Sequence, residues 1–446
     1  MPHFPRTRHG SALMIYYQRG GADEVIDDEG LRAGLNEALG KIGPRRKVCV
    51  IPPDFTRLHS RGGTITKYLW EYYGAALVDI MPALGTHRPM NEGEIKTMFP
   101  DLPLGLFREH RWRNDTVTLG KVPRAFISKL METDFKYDWP AQVNRLLCKG
   151  GHDLIVSPGQ VVPHEVIGMA NHAKNIFVGV GGSEGIHKSH FLGAVYGMER
   201  IMGRSDNPVR AVIDYAVKEF AAELPVLYAL TVLGSNGEGK SVVRGFFIGD
   251  GRECFEKAST LSTKVNITMV EKPVKKCVAY LDPERFRSTW LGNKAIYRTR
   301  MAIADGGELI ILAPGIKEFG EDKEIDFLIR KCGYFGTRKT LQKLRHVEEL
   351  RVNLGAAAHL IHGSSEDRFR ITYAPGFLSR DECESVGFGY ADLEAMLEKY
   401  NPSKLEPGWN RVGHEEFYYV DNPALGLWIH ADRMRKKTKS YMRQFT

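Results

Sequence analysis

The feature that most constrains the fold of this chain is a repeated local grammar, in which a short β-branched run stops at glycine or proline and a polar cluster follows. KVCVIPPD, LVDIMPALGTHRP, DLIVSPGQVVPH and NIFVGVGGSEG all read this way. Each run is short and β-branched, and reads as a buried strand. Between them lie helical stretches, with apolar side chains at helical spacing in residues 30–45 and around ITKYLWEYYGA. Such an alternation of strand, loop and helix predicts a parallel sheet with helices on its faces. In open parallel sheets ligands sit beyond the carboxyl ends of the strands, so the polar loops are expected to converge on one crevice.

Between about residues 224 and 272 the pattern turns β-rich and antiparallel-looking, with LPVLYALTVLG, SVVRGFFIGD and KVNITMV as expected strands. A second α/β unit is expected from Lys275, with KCVAYLD as strand, STWLGNKAIYRTRMAIA as helix, GGELIILAPG as strand and DKEIDFLIRKCG as helix. At 446 residues the chain is too long for one compact domain. The expected architecture is two α/β domains with mainly parallel sheets, residues 1–273 and 274–446. Their active-site crevice would lie between them, the second domain closing over the substrate.

Composition excludes several classes. The net charge is +8, but the basic residues are dispersed and only RMRKKTKSYMRQ near the C-terminus is dense, which reads as a solvated final helix rather than a nucleic-acid contact. The N-terminus lacks the apolar core of a signal peptide, and no later segment approaches the ~20 apolar residues of a membrane span. The six cysteines are widely spaced without a C-x-x-C pair, which argues against a zinc ribbon or a disulfide scaffold and fits a reducing cytoplasm. GSNGEGKS, Gly234 to Ser241, matches the phosphate-loop pattern by letter. Such a loop must open into a helix, whereas VVRGFFIG follows, so a hairpin turn is expected instead.

The chemistry-bearing residues lie in the strand-end loops. Asp54, Thr56 and Arg57 follow the first strand, where the guanidinium can bind a carboxylate or phosphate; a structural Asp54–Arg57 ion pair is the plain alternative. His87, His164, His187 and His190 sit in Gly/Pro-rich segments, and histidine there suits proton transfer or metal ligation. Each taken alone is as easily a bystander. Trp290 and Tyr297 read as core or pocket wall.

The succession D-x-T-R, L-G-T-H-R-P-M, FREHRWRND with TLG, P-H, and then a Gly-Gly-to-Lys segment resembles the lactate racemase family of nickel-pincer 2-hydroxyacid racemases and epimerases. The similarity extends over most of the chain, including NKAIYRTRMAIADGGELIILAPG. It implies nickel held by a pyridinium-3,5-bisthiocarboxylic acid mononucleotide, often linked covalently to a lysine, with a histidine completing the coordination. It also implies that one histidine takes the hydroxyl proton while the C2 hydride passes to the cofactor. The planar 2-keto acid then receives hydride on its other face beside a second histidine. His87 and His164 match the two acid/bases.

The family pattern has Gly-Gly, one residue, and then the anchoring lysine ten positions after the second histidine. Reading Gly181-Gly182 as the glycine pair makes Lys188, twenty-four positions after His164, the candidate anchor, with Asp54, Thr56 and Arg57 completing the cofactor contacts. His190 is the preferred nickel ligand, with His187 and His172 as alternatives. If the segment is extended, residues 187, 188 and 190 cannot share a pocket; on a helix 187 and 190 share a face. Lys294 falls where the family has a substrate-contacting lysine, although Leu291 replaces the usual glutamine; Arg298 is a substitute, and Arg57 a further substrate contact. These departures imply a substrate other than lactate, such as a longer sugar acid. Cofactor-synthesis proteins are the implied partners, and an oligomer is compatible. The competing readings are a histidine-ligated metal hydrolase and a non-catalytic relative that has kept the fold.

Overall fold

The computed structural model describes residues 14–131, 135–236, 240–423 and 426–434. They form two compact units, 14–189 with 202–266, and 190–201 with 267–434.

In the first unit, apolar runs without a polar face become central strands covered on both sides. Val48–Val50 is wholly buried and Leu154–Gln160 nearly so. The six-stranded sheet has the spatial order Ile15–Gly20, Ser241–Gly249, Val226–Ser235, Leu154–Gln160, Val48–Val50, Leu77–Ile80. The last four run parallel, and the first two are joined antiparallel. The Asp28–Ile42 helix begins where the Asp27 carboxylate accepts the Gly30 N–H, and it buries Leu31, Leu35, Ala38 and Leu39 along one stripe. Each buried leucine contributes about 2 kcal/mol of apolar burial.

The second unit carries another six-stranded sheet, ordered Gly389–Tyr390, Arg370–Pro375, Ile303–Ala313, Val274–Tyr280, Glu415–Val420, Gly408–Val412. All its neighbours are parallel except the final pair. The fold is therefore α/β with mainly parallel sheets.

The Val226–Ser235 and Ser241–Gly249 strands pair antiparallel across the phosphate-loop look-alike, and the Asn236 N–H donates to the Lys240 carbonyl at 2.9 Å. No helix follows Ser241. The tip, 237–239, lies outside the described residues, as does the basic tail beyond Met434.

Three expected elements differ. NIFVGV is not a strand: Asn175–Gly179 is a buried π-helical turn. KVNITMV is split between the end of the Arg252–Asn266 helix, which buries Cys254, Phe255, Ala258 and Leu261, and the short Thr268–Val270 strand. Short apolar runs fit a buried helix as well as a strand, and tertiary burial decides between them. The helix expected from Ser288 is two short ones, Thr289–Gly292 and Lys294–Thr299, and the next strand already starts at Ile303. Among the described residues, no helix is long and apolar enough to cross a membrane.

Candidate functional site

Three adjacent parallel strands deliver the main groups of the site. Val48–Val50 lies between Leu154–Gln160 and Leu77–Ile80, and beyond their carboxyl ends come Asp54, His164 and His87 respectively. The pairing continues into the loops, where Ala83 N–H donates to the Pro52 carbonyl at 2.7 Å and Ile51 N–H to Val156 at 2.8 Å. The Pro-Pro turn thereby holds Asp54 rigidly.

Asp54 is 5% exposed. Its Oδ1 accepts the Thr56 hydroxyl at 2.5 Å, and its Oδ2 accepts His87 Nδ1–H at 2.6 Å. Its carboxylate oxygens thus serve Thr56 and His87 rather than an Arg57 ion pair. Burial works to raise the Asp54 pKa, but the His87 hydrogen bond and charge, the Thr56 hydroxyl and the Arg57 charge together leave it below the ordinary value. With Nδ1–H committed, neutral His87 offers the Nε2 lone pair, the arrangement of a general base. His164 is arranged differently. Its Nδ1 accepts the Val166 N–H at 3.1 Å, which places the proton of the neutral ring on Nε2. One histidine is preset as acceptor and the other as donor.

Two further groups belong here that the sequence pattern did not single out. His59, on the Phe55–Ser60 turn, is held below its ordinary pKa by burial and by Arg57, with Gln160 partly offsetting. Lys174 is pushed down to about 8 by burial, then by Arg57 and Arg210, against the pull of Asp54 and Glu165. A lysine so near neutrality is a usable nucleophile.

Lys174 stands ten positions after His164. The two residues at the Gly-Gly positions of the family pattern are Asn171 and His172, both left-handed at φ 70° and 59°. That is the conformation glycine adopts most easily, and Asn and His are among the side chains that enter it more often than most. The pattern's register therefore falls on Asn171-His172-Ala173-Lys174. The signal lay in the count from His164, hidden because the glycine letters had been replaced.

Gly181 and Gly182 serve a different purpose. A Cβ on Gly181 would lie 1.9 Å from the Phe177 carbonyl oxygen, and one on Gly182 2.5 Å from Gln142 Oε1. At both positions the absence of a side chain permits close packing. Buried His110 donates Nε2–H to the Gly181 carbonyl at 3.0 Å and accepts from Asn144 Nδ2 at 3.0 Å, and burial drops its pKa to about 4.

Ser183–Tyr196 is a helix, so His187 and His190 share a face and Lys188 is turned from it. Lys188 Nζ pairs with Glu184 at 2.6 Å, donates to the Asp138 carbonyl at 3.0 Å and lies over the Tyr137 ring. It is engaged structurally. His187 packs edge-on against Trp112, and burial with Arg113 lowers its pKa. The buried His172 ring stacks against Tyr228 at 4.0 Å and Phe255 at 5.1 Å.

In the second unit, Lys294 and Arg298 lie on the Lys294–Thr299 helix, Arg298 buried. Trp290 stacks on His359 at 4.0 Å, and the Tyr297 hydroxyl meets His359 Nδ1 at 2.9 Å, as expected of wall and core residues.

The donor set suits the implied cofactor: a near-neutral lysine to carry it, the Arg57 cation for an anionic group, and single histidines rather than a protein-only metal cage. Among the described residues, no group of three or more His, Cys, Asp or Glu side chains could hold a metal.

Residues 33–201 match the model of a protein family described as the lactate racemase N-terminal domain. No curated protein matches the chain. A crystal structure of a protein from Thermotoga maritima matches with a TM-score of 0.75 and 24% identity, over 92% of this chain and 99% of that one. The lactate racemase apoprotein from Thermoanaerobacterium thermosaccharolyticum matches with a TM-score of 0.67 and 16% identity, over 92% of this chain and 94% of the other. At these identities the two structures speak to fold.

Proposed function

We propose that the chain is a member of the lactate racemase family, on the match of residues 33–201 to the lactate racemase N-terminal domain, and that it is a racemase or epimerase inverting C2 of a 2-hydroxycarboxylic acid. The observation that carries the proposal is the gathering of Asp54, His87, His164 and Lys174 around the carboxyl ends of adjacent parallel strands.

In this reading Lys174, not Lys188, holds a nickel-pincer nucleotide, and His190 supplies the protein ligand to nickel. The bound group supplies an acceptor for the C2 hydrogen with its electron pair. His87 takes the substrate hydroxyl proton on Nε2, and the Asp54 carboxylate stabilises the imidazolium so formed. His164 faces the substrate oxygen with its Nε2–H. For His164 to act as the base in the opposite direction, Nδ1 must be protonated and the Val166 N–H contact given up. Arg57 pairs with the substrate carboxylate through its planar fork. A substrate other than lactate, cofactor-synthesis proteins as partners, and a reducing cytoplasm suited to six unpaired cysteines complete the proposal.

The test uses cofactor-loaded protein and a panel of enantiopure 2-hydroxy acids deuterated at C2. Inversion that retains the deuterium, and that is lost in both directions in each of His87→Ala and His164→Ala, is the expected result. Washout of deuterium into water, or full activity in either variant, refutes it.

A further inference from the structure

Where the family pattern calls for two glycines, this chain has two side chains, and the structure gives them a purpose. Asn171 and His172 are both about 4% exposed and both left-handed. Such backbone persists only when its surroundings over-determine it. Here they do. The His172 ring lies between Tyr228, at 4.0 Å and 37°, and Phe255, at 5.1 Å and 24°. The Arg210 guanidinium covers Phe255 at 4.3 Å and donates to the carbonyls of Met169 at 2.6 Å and Asn171 at 3.4 Å. Asn171 Oδ1 accepts the His172 N–H at 2.7 Å, and its Nδ2 reaches the Gln160 carbonyl at 3.5 Å, an approach that a Cβ on Gly159 would block. On the far side, the His172 carbonyl accepts the Asn175 N–H at 2.8 Å, which starts the π-helical turn. Lys174 lies between these two fixed points.

We propose that His172 is a positioning residue, whose ring, wedged between Tyr228 and Phe255, locks the left-handed Asn171–His172 turn and so fixes Lys174 beside the Asp54–Arg57 loop. A glycine pair would reach the same conformation without strain but without an anchor. Substituting side chains converts a pliant approach to the lysine into a rigid one. The inference rests on the reading of Lys174 as the anchoring amine. His172 acts through shape, since burial and the charges of Arg210 and Arg252 keep its ring neutral, against a weaker opposing pull from the Gly251 backbone. The charged groups that face Lys174 are Arg57, Arg210, Asp54 and Glu165.

The experiment uses full-length cofactor-free protein, labelled with trace acetic anhydride from about pH 6 to 10, with Lys174 acetylation read by mass spectrometry. Amide exchange of residues 168–176 is followed in parallel. His172→Ala is expected to raise the Lys174 labelling midpoint by more than about one pH unit, toward an ordinary lysine. It should also speed exchange in the segment about tenfold. His172→Phe, which refills the slot with a flat ring, is expected to restore both. Unchanged labelling and exchange in His172→Ala, or a His172→Phe that behaves like His172→Ala, overturns the proposal. If His172→Ala does not fold, Tyr228→Leu removes one wall and must shift both readouts in the same direction. These measurements need no cofactor, so a missing adduct on Lys174 in loaded protein would strike the functional reading and leave this one standing.

Discussion

Replacing Asp54 by asparagine is the most informative single perturbation of the site. The carboxylate is buried and accepts His87 Nδ1–H at 2.6 Å. Hydrogen bonds to charged groups are worth about 1.5–3 kcal/mol. The His87 side chain is 58% exposed, however, so solvent screening should reduce the loss of stability to about 1 kcal/mol. That contribution also has a pH signature. The Asp54 pKa is depressed on folding, so its stabilisation is present above the ordinary aspartate value and disappears as pH falls through the lower folded value. The variant lacks this dependence. The catalytic loss should be far larger, because the asparagine amide can donate to Nδ1 and turn the neutral imidazole to its Nε2–H form, leaving no lone pair toward substrate. A general base contributes roughly 10²–10⁴-fold, and kcat should fall by that factor with little change in KM. Lys174 provides an independent reading. Asp54 is one of the two carboxylates holding its pKa up, so Asp54→Asn should lower it further below about 8. The assay is inversion kinetics on loaded protein, together with pH-dependent acetylation of Lys174. A kcat within about threefold of wild type, or a Lys174 midpoint that rises, would refute the assignment of His87 as an aspartate-oriented base.

Other consequences can be measured directly. Nitrogen-15 chemical shifts of the apoprotein should report Nδ1–H for neutral His87 and Nε2–H for neutral His164, and the same tautomer in both would contradict the acceptor–donor asymmetry. Burial holds His110 neutral with a pKa of about 4, so the unfolded chain takes up its proton first as pH falls. Stability from His110 is therefore complete above about pH 6.5 and declines toward pH 4, by on the order of 3 kcal/mol, a loss that should vanish from pH-dependent denaturation curves of His110→Phe. Gly181→Ala sets a Cβ 1.9 Å from the Phe177 carbonyl oxygen and should destabilise the fold by about 3 kcal/mol in urea melts. A neutral result would show that the glycine pair is not a packing device.

Much of the candidate site was legible in the sequence because its groups follow short β-branched runs cut by Pro or Gly. Asp54 after Pro52-Pro53, His87 after Gly85, and His164 after Pro163 could each be placed beyond a strand end. What was hidden depended on conformation rather than letters. The Gly-Gly pattern draws the eye to Gly181-Gly182, yet the left-handed pair it encodes is Asn171–His172, and the near-neutral lysine follows two residues later. The ion pair of Lys188 with Glu184, one turn earlier on the same helix, is likewise a matter of conformation rather than of letters. Asn175–Gly179 shows the same limit in the fold, since five buried residues do not reveal from periodicity whether they form a strand or a π-helical turn. His59 offered no signal beyond its place in a loop; only its surroundings mark it.

The central claim is tested most directly by mass spectrometry and nickel analysis of protein produced together with the cofactor-synthesis enzymes. About one nickel per chain is expected, with a nucleotide adduct that localises to the Lys174 peptide and is lost in Lys174→Ala but kept in Lys188→Ala. An adduct on Lys188, or nickel bound with no nucleotide at all, would contradict that claim.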